Sequence, residues 1–174
     1  MFHCSCYYKY ISICILVVVI LLVIILSIFL VPNLLQKNTL TALNSEVQTS
    51  TGGSATLLFN TNRIQNGNAI THTDASTEVI LNESGTYLVS FNVTGSLDTG
   101  GFPSTSFSVE LLQDSQAVSN TFVTSMVIPT GQSQSLSNTT LVDVTSLPSI
   151  LQLSAFSTPS IFYQHTSISV VTID

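Results

Sequence analysis

The chain has 174 residues, of which 45% are apolar and only 7% are charged, and its formal net charge is −6. This length suits one domain plus an accessory segment. With three cationic side chains in all, the chain cannot build the basic stripe that a nucleic-acid-binding protein needs. Glu, Lys and Arg are also too few for a charged coiled coil.

The amino-terminal segment predicts a single transmembrane helix over residues 11–32. The run from Ile11 to Val31 is apolar and carries no charge, and at about 1.5 Å per residue it spans about 30 Å, the thickness of a bilayer's hydrocarbon core. Pro32 ends the run. The alternatives are a buried soluble helix and a cleaved signal peptide, whose apolar region is about 7–15 residues and precedes a small-x-small cleavage site.

The distribution of charge and cysteine predicts the orientation of this helix. Lys9 and Lys37 flank the span and nearly balance each other. From Lys37 onward the chain has two cations and nine acids, a balance of −7, and no cysteine. We therefore expect a single-pass protein of the cell membrane, with residues 1–10 as a cytoplasmic tail and the carboxyl-terminal domain outside. Cys4 and Cys6, beside the membrane, are either acylated or unmodified thiols.

Residues 33–54 are interpreted as a polar stalk. The segment is rich in Asn, Gln, Ser and Thr and ends in a Gly-Gly pair, and Leu40, Leu43 and Val47 are spaced for one short amphipathic helix. The segment is too brief for a heptad repeat, and we expect it to act as a tether.

The residue pattern from residue 55 to residue 174 predicts an all-β domain. Short alternating runs are separated by Gly, Pro, Asn, Asp and Ser at intervals of about 8–12 residues, which is typical of a sandwich or a barrel. Tyr87, Val89 and Phe91 share one face of a strand, whereas Ser90 and Asn92 share the other. We rank a sandwich above a closed barrel. The predicted strands are Ala55–Asn60, Ala69–His72, Thr77–Asn82, Thr86–Thr94, Ser104–Gln113, Ala117–Ile128, Gln134–Val144, Ile150–Phe156 and Thr166–Ile173.

The segment from Glu78 to Val93 resembles the central signature of complement-q and tumour-necrosis-factor-like jelly rolls. It reads as a strand, a turn that closes on Gly85, and then Tyr87 and Phe91 in the pattern Gly-x-Tyr-x-x-x-Phe. The sequence around it is most similar to the carboxyl-terminal domain of the collagen-like spore-surface (exosporium) glycoproteins of bacilli. The resemblance covers residues 55–174 and rests also on Phe59-Asn60, Asn66-Gly67, Ile70-Thr71-His72-Thr73 and the closing strand 167–173.

The resemblance implies a ten-stranded jelly roll that assembles as a homotrimer through one apolar sheet edge and face. It also implies that Gly85 forms the turn and that Tyr87 and Phe91 project into the core. The chain departs from the family pattern at Val79 and Val89, and a membrane span replaces the collagen-like region. Five aromatic residues are expected either in the core or in a subunit contact: Phe102, Phe122, Phe156, Phe162 and Tyr163.

Residues that could support catalysis or metal binding are few. No Gly-x-Ser-x-Gly elbow and no phosphate-cradling glycine loop occurs. His72, with Asp74 nearby, and His165 are the domain's only histidines, and zinc needs three or four ligands, so we expect exposed turn histidines. Four aspartates are candidates either for calcium or for solvated turns: Asp98, Asp114, Asp143 and Asp174.

These observations favour a non-enzymatic, membrane-anchored surface protein without catalytic residues, metal or cofactor. Its trimeric head would have a structural or adhesive role, and the resemblance adds a spore-surface setting. The span, short tether and trimeric head are also the layout of a tumour-necrosis-factor-like receptor-binding ligand. A cupin-like enzyme is the third hypothesis, but the chain lacks the clustered His and Glu of such sites. The sequence does not identify the external ligand.

Overall fold

The computed structural model describes residues 15–25, 37–50, 52–97, 104–126, 128–158 and 160–173. The chain divides into two compact units, residues 1–36 and residues 37–174. In the first unit one helix, α1, covers residues 15–25. Among the described residues, no helix is both long and apolar enough to cross a bilayer. The remainder of the predicted span, 11–14 and 26–32, and the predicted tail 1–10 lie outside the described residues.

The second unit is built from strands that form two main sheets, which confirms the all-β prediction. The sheets pack face to face as a sandwich around one core. The strands are β1 Thr39–Asn44, β2 Gln48–Ser50, β3 Gly53–Thr56, β4 Thr61–Asn66, β5 Ile70–His72, β6 Val79–Leu81, β7 Gly85–Leu97, β8 Ser104–Thr105, β9 Phe107–Gln113, β10 Gln116–Ala117, β11 Val123–Thr124, β12 Ile128–Pro129, β13 Ser133–Val144, β14 Ser149–Ser157 and β15 Ile161–Thr172.

The first sheet has the order β13-β7-β15-β1-β4, with β2 also paired to β15, and we call it the long sheet. The second sheet, which we call the short sheet, has the order β10-β9-β14-β6-β5, with β11 on β9 and β3 on β14. A separate two-stranded sheet joins β12 to β8. All these pairings are antiparallel.

The apolar and polar residues that alternate in the sequence lie on opposite faces of each strand. In β7 the residues Tyr87, Val89, Phe91 and Val93 are buried, and the residues between them point outward. Phe107, Val109 and Leu111 of β9 and Leu151 and Leu153 of β14 supply the opposite wall of the core. A one-residue slip would expose a whole apolar set, so this alternation fixes the register.

The predicted stalk over residues 33–54 is corrected by the structure. Thr39–Asn44 is β1, an interior strand of the long sheet that pairs with both β15 and β4. Leu40 and Ala42 are fully buried, so the segment alternates as a strand and is not an amphipathic helix. Gln48–Ser50 and Gly53–Thr56 are strands as well, and the β domain begins near Lys37, not at residue 55. Residues 33–36 lie outside the described part.

The strand pieces are more numerous than the nine predicted strands or the ten that the resemblance implies. The predicted strand Ala117–Ile128 is divided into β10, β11 and β12, and a turn at Asn120, whose φ is 62°, separates β10 from β11. The edge strand β4 was missed because its residues, TNRIQN, show no apolar alternation and are mostly exposed. Long jelly-roll strands are therefore broken by local turns that strand patterns do not reveal.

Candidate subunit interface

The three signature residues all lie in β7, from its first residue, Gly85, to its middle, Phe91. Gly85 has a φ of 147°, which residues with a side chain rarely adopt. Tyr87 and Phe91 are buried on the inward face. The Tyr87 hydroxyl donates a hydrogen bond to the Glu83 carbonyl oxygen at 2.6 Å and ties the turn before β7 to the core. Burial, and secondarily the charge of Glu83, raises the pKa of Tyr87 above its ordinary value.

The outward face of the long sheet is lined by hydroxyl groups that bond to one another across strands. Ser90 of β7 lies opposite Thr139 of β13, and their hydroxyls are 3.0 Å apart. Thr41 of β1 and Ser169 of β15 form a second pair at 3.0 Å. Ser90 also lies opposite Ser169, so one row of hydroxyl side chains crosses four strands. We call the outward side chains of β13, β7, β15 and β1 the hydroxyl face.

An apolar row crosses the same face two residues from the hydroxyl row. Leu141 of β13, Leu88 of β7 and Val171 of β15 lie opposite one another in register. Leu141 is 57% exposed and Leu88 is 38% exposed. Large apolar side chains in contiguous outward positions are typical of a surface that binds another protein.

Charge is nearly absent from the hydroxyl face. Asp143, near the end of β13, is the one charged residue among the outward positions of its four strands. Its Oδ1 accepts a hydrogen bond from the Thr86 hydroxyl at 2.8 Å. Apart from the margin at Asp143, the face could therefore be covered by another protein surface without leaving unpaired ions, each of which would cost several kcal/mol.

The five predicted aromatic residues divide between core and surface. Tyr163 is buried, and its ring meets Phe107 edge-on at a centroid distance of 5.8 Å. Phe162 points outward from the hydroxyl face and is half-buried. Phe122 and Phe156 are exposed and belong to the short sheet's side of the domain. Phe102 lies outside the described residues.

His72 is not the exposed turn residue that we expected. It lies in β5 and is buried, with Nδ1 2.7 Å from Asn62 Oδ1 and Nε2 3.2 Å from the Ser76 carbonyl oxygen. Its ring meets Phe59 edge-on at 5.8 Å. The described residues contain no group of three or more His, Cys, Asp or Glu side chains that could hold a metal ion. His72 therefore acts as a polar member of the core.

The other candidate ligands are dispersed in the structure. His165 is exposed at an irregularity in β15 with a φ of 49°, which fits the expectation for this residue. Asp114 accepts hydrogen bonds from the Ile150 amide at 2.8 Å and from the Ser149 hydroxyl at 3.0 Å, so it ties the turn after β9 to the start of β14. Asp98 and Asp174 lie outside the described residues.

Comparison with known proteins identifies the fold. No protein-family model matches the chain, and no curated protein matches its sequence. The crystal structure of murine APRIL at pH 5.0 is similar with a TM-score of 0.54 and 11% identity over 79% of this chain and all of that one. The form at pH 8.0 gives a TM-score of 0.53 and 10% identity with the same coverage.

PRD1 vertex protein P5 is also similar, at 14% identity over 79% of this chain and 97% of that one, with a lower TM-score of 0.46. At these identities the likeness shows the fold alone. The domain is a tumour-necrosis-factor-like jelly roll. The particular resemblance to the spore-surface glycoproteins of bacilli stays a prediction.

The hydroxyl face was only partly visible in the sequence. The outward positions of Ser90, Asn92 and Thr94 follow from alternation in one strand. The pairing of Ser90 with Thr139 and with Ser169 depends on partners 49 and 79 residues away in the chain, which a single sequence does not reveal.

Proposed function

We propose that this chain is a non-enzymatic surface protein, anchored in a membrane, whose jelly-roll head assembles as a homotrimer and has a structural or adhesive role. The observation that carries the proposal is the hydroxyl face. It combines an exposed apolar row with cross-strand hydroxyl pairs and a single carboxylate.

The size of the hydroxyl face supports an interface between copies of the head. Four strands at about 4.8 Å spacing give a width of about 19 Å. The 13 residues of β7 give a length of about 43 Å at about 3.3 Å per residue. The area is then up to about 800 Å², similar to what each partner contributes to a stable protein–protein contact.

The anchor is proposed from the amino-terminal sequence and from the described helix. The large apolar side chains from Ile15 to Ile25 are all exposed, so α1 presents no polar face of the kind that amphipathic surface helices have. The apolar run continues in the sequence from Ile11 to Val31, which is long enough to span lipid. We propose that residues 11–32 cross the membrane once and that the head lies outside the cell, on a cell or spore surface.

Sedimentation of the full chain in a density-matched detergent tests the trimer. We expect the mass of three chains for the natural sequence at micromolar concentration, and one chain for Ser90→Lys, which adds an unpaired charge at the centre of the hydroxyl face. Ser154→Lys is the matched control, because Ser154 points outward from the short sheet, and it should stay trimeric. A monomeric natural chain would refute the trimer.

Partition between detergent and water tests the anchor separately. The full chain should enter the detergent phase on cloud-point separation, and a chain without residues 11–32 should stay in the aqueous phase. A full chain found in the aqueous phase would remove the membrane part of the proposal and leave the trimer untouched.

A further inference from the structure

A cavity opens between the two sheets where each has a free edge. β13 forms one edge of the long sheet, and β10 forms one edge of the short sheet. The cavity between them measures about 380 Å³ and is lined by residues of β9, β10, the segment after β10, and β13. Small-molecule sites measure about 300–1,000 Å³, so this cavity suits a ligand of one or two rings.

One wall of the cavity offers hydrogen-bonding groups of fixed orientation. Gln113 Nε2 donates to the Asp143 carbonyl oxygen at 3.2 Å and contacts the Ser149 hydroxyl oxygen at 3.1 Å. The Ser149 hydroxyl in turn donates to Asp114. The Gln113 amide group is thus fixed by framework atoms through its nitrogen, which leaves its carbonyl oxygen as the group that can accept from a ligand.

Asp143 is the one charged residue among the described residues that line the cavity. Thr86 donates to one of its oxygens and so fixes its orientation. In the described part of the β domain the cations are Lys37 and Arg63, and Arg63 lies in β4, at the opposite edge of the long sheet from β13. A carboxylate oxygen is a strong hydrogen-bond acceptor for hydroxyl donors.

The remaining lining combines polar and aliphatic groups. Gln116 and Ser119 add an exposed amide and an exposed hydroxyl, whereas Ala117, Val118 and Leu141 supply apolar surface. Acceptors beside an aliphatic wall suit a ligand that has several hydroxyl donors and one face of C–H groups. The Asp143 charge and the domain's balance of two cations against nine acids disfavour phosphates and other anions.

We propose that this cavity is a binding site for a neutral pyranose unit of a glycan. The hydroxyls of the sugar would donate to Asp143 and Gln113, and the C–H face of its ring would pack on Leu141 and Val118. The inference rests on the proposed function, because it supplies a ligand class for an adhesive head. It also requires that Leu141 and Asp143, at the β13 margin of the hydroxyl face, stay uncovered in the trimer, so that the contact between copies is centred on β7, β15 and β1.

Saturation-transfer NMR with the full chain in a detergent without sugar groups tests the site. The probes are the methyl glycosides of glucose, galactose, mannose, N-acetylglucosamine and rhamnose. A single ring has few atoms with which to bind, so we expect a Kd on the order of 1 mM for at least one probe. If no probe binds at 10-fold that concentration, the inference is wrong.

Variants assign the binding to the cavity. Asp143→Asn keeps the acceptor for Thr86 but removes the charge, and it should weaken binding about 10-fold or more. Ala117→Trp fills the cavity from an exposed position and should abolish binding. Glu83→Gln removes one charge from a turn outside the cavity and should change the Kd less than 2-fold. Equal binding by all three variants would place the glycan elsewhere and overturn the assignment.

Sedimentation of the same samples separates the two proposals. A trimer that binds no glycoside refutes the glycan site and leaves the proposed function in place. A monomer that binds a glycoside, with loss of binding in Ala117→Trp, refutes the trimer and supports the site.

Discussion

Replacement of Gly95 by alanine tests how closely the two sheets pack. Gly95 lies on the inward face of β7, opposite Tyr163 in register. A Cβ at this position would be 2.6 Å from Cε1 and 2.7 Å from Cζ of Phe107, a buried residue of the facing sheet. Real Cβ atoms essentially never approach this closely, so the Phe107 ring must move within a core that is already filled.

The cost of Gly95→Ala follows from two opposing effects. Overpacking of a filled core typically destabilises by about 1–3 kcal/mol. Alanine restricts the unfolded chain more than glycine does and offsets about 0.4–1 kcal/mol of that. We expect a net loss of about 1–2 kcal/mol in the free energy of unfolding. In a domain of this size that is a drop of about 3–10 °C in Tm.

A second substitution identifies the cause of the loss. Phe107→Leu removes Cε1 and Cζ, the two closest of the three ring atoms that the new Cβ would meet. Gly95→Ala should therefore cost less than about 0.5 kcal/mol in the Phe107→Leu background. Urea unfolding of all four chains at one protein concentration gives the coupling energy. Ser96→Ala, at the neighbouring outward position, is the control and should change stability by less than about 0.5 kcal/mol. If Gly95→Ala costs the same in both backgrounds, the ring is not the obstacle.

Two further predictions concern buried polar groups. Thr121 is fully buried, and its hydroxyl donates to the Val118 carbonyl oxygen at 2.7 Å and accepts from the Leu111 amide at 3.1 Å. Thr121→Val should therefore lower the free energy of unfolding in urea by about 1–3 kcal/mol. Thr121→Ser keeps the hydroxyl and should lower it much less. Equal losses in the two variants would show that the hydroxyl does not stabilise the fold. Burial raises the pKa values of Tyr87 and Tyr163 above 10.0, so the stability that their neutral forms give is complete below pH 10 and falls as the pH rises through the folded-state values. Thermal unfolding between pH 8 and pH 12 should show this fall, and Tyr163→Phe should reduce it; an unchanged slope would refute the assignment.

The parts of the fold that the sequence predicted are those with a strong local pattern. β7, β9 and β14 alternate apolar and polar residues over five or more positions, and each was expected to within three residues of its observed bounds. Thr39–Asn44 was misinterpreted because Leu40 and Leu43 also suit helical spacing in so short a segment. Its strand conformation depends on pairing with β15, more than 120 residues away.

The candidate sites were less predictable than the fold. Gln113 and Asp143 are 30 residues apart in the chain, and only the meeting of two sheet edges brings them to one cavity. The close approach of Phe107 to Gly95 likewise joins facing sheets and has no local signal. His72 was misassigned because a histidine near a turn is expected to be exposed. In the structure its two ring nitrogens bond to the Asn62 side chain and the Ser76 carbonyl, and these partners allow it to lie in the core.

The placement of charge in the head determines which surfaces can associate closely. Two of the described acids lie within strands, Glu110 in β9 and Asp143 in β13. The others lie in the connecting segments and turns, namely Glu46, Asp74, Glu78, Glu83 and Asp114. Covering a carboxylate with another molecule removes it from water at a cost of several kcal/mol unless it gains a partner. Because the head has so few cations to supply such partners, contact between copies through the acidic loops is unfavourable. The hydroxyl face carries a single carboxylate, that of Asp143 at its margin. Side-by-side association through the rest of this face avoids the cost and is therefore the arrangement that the charges favour.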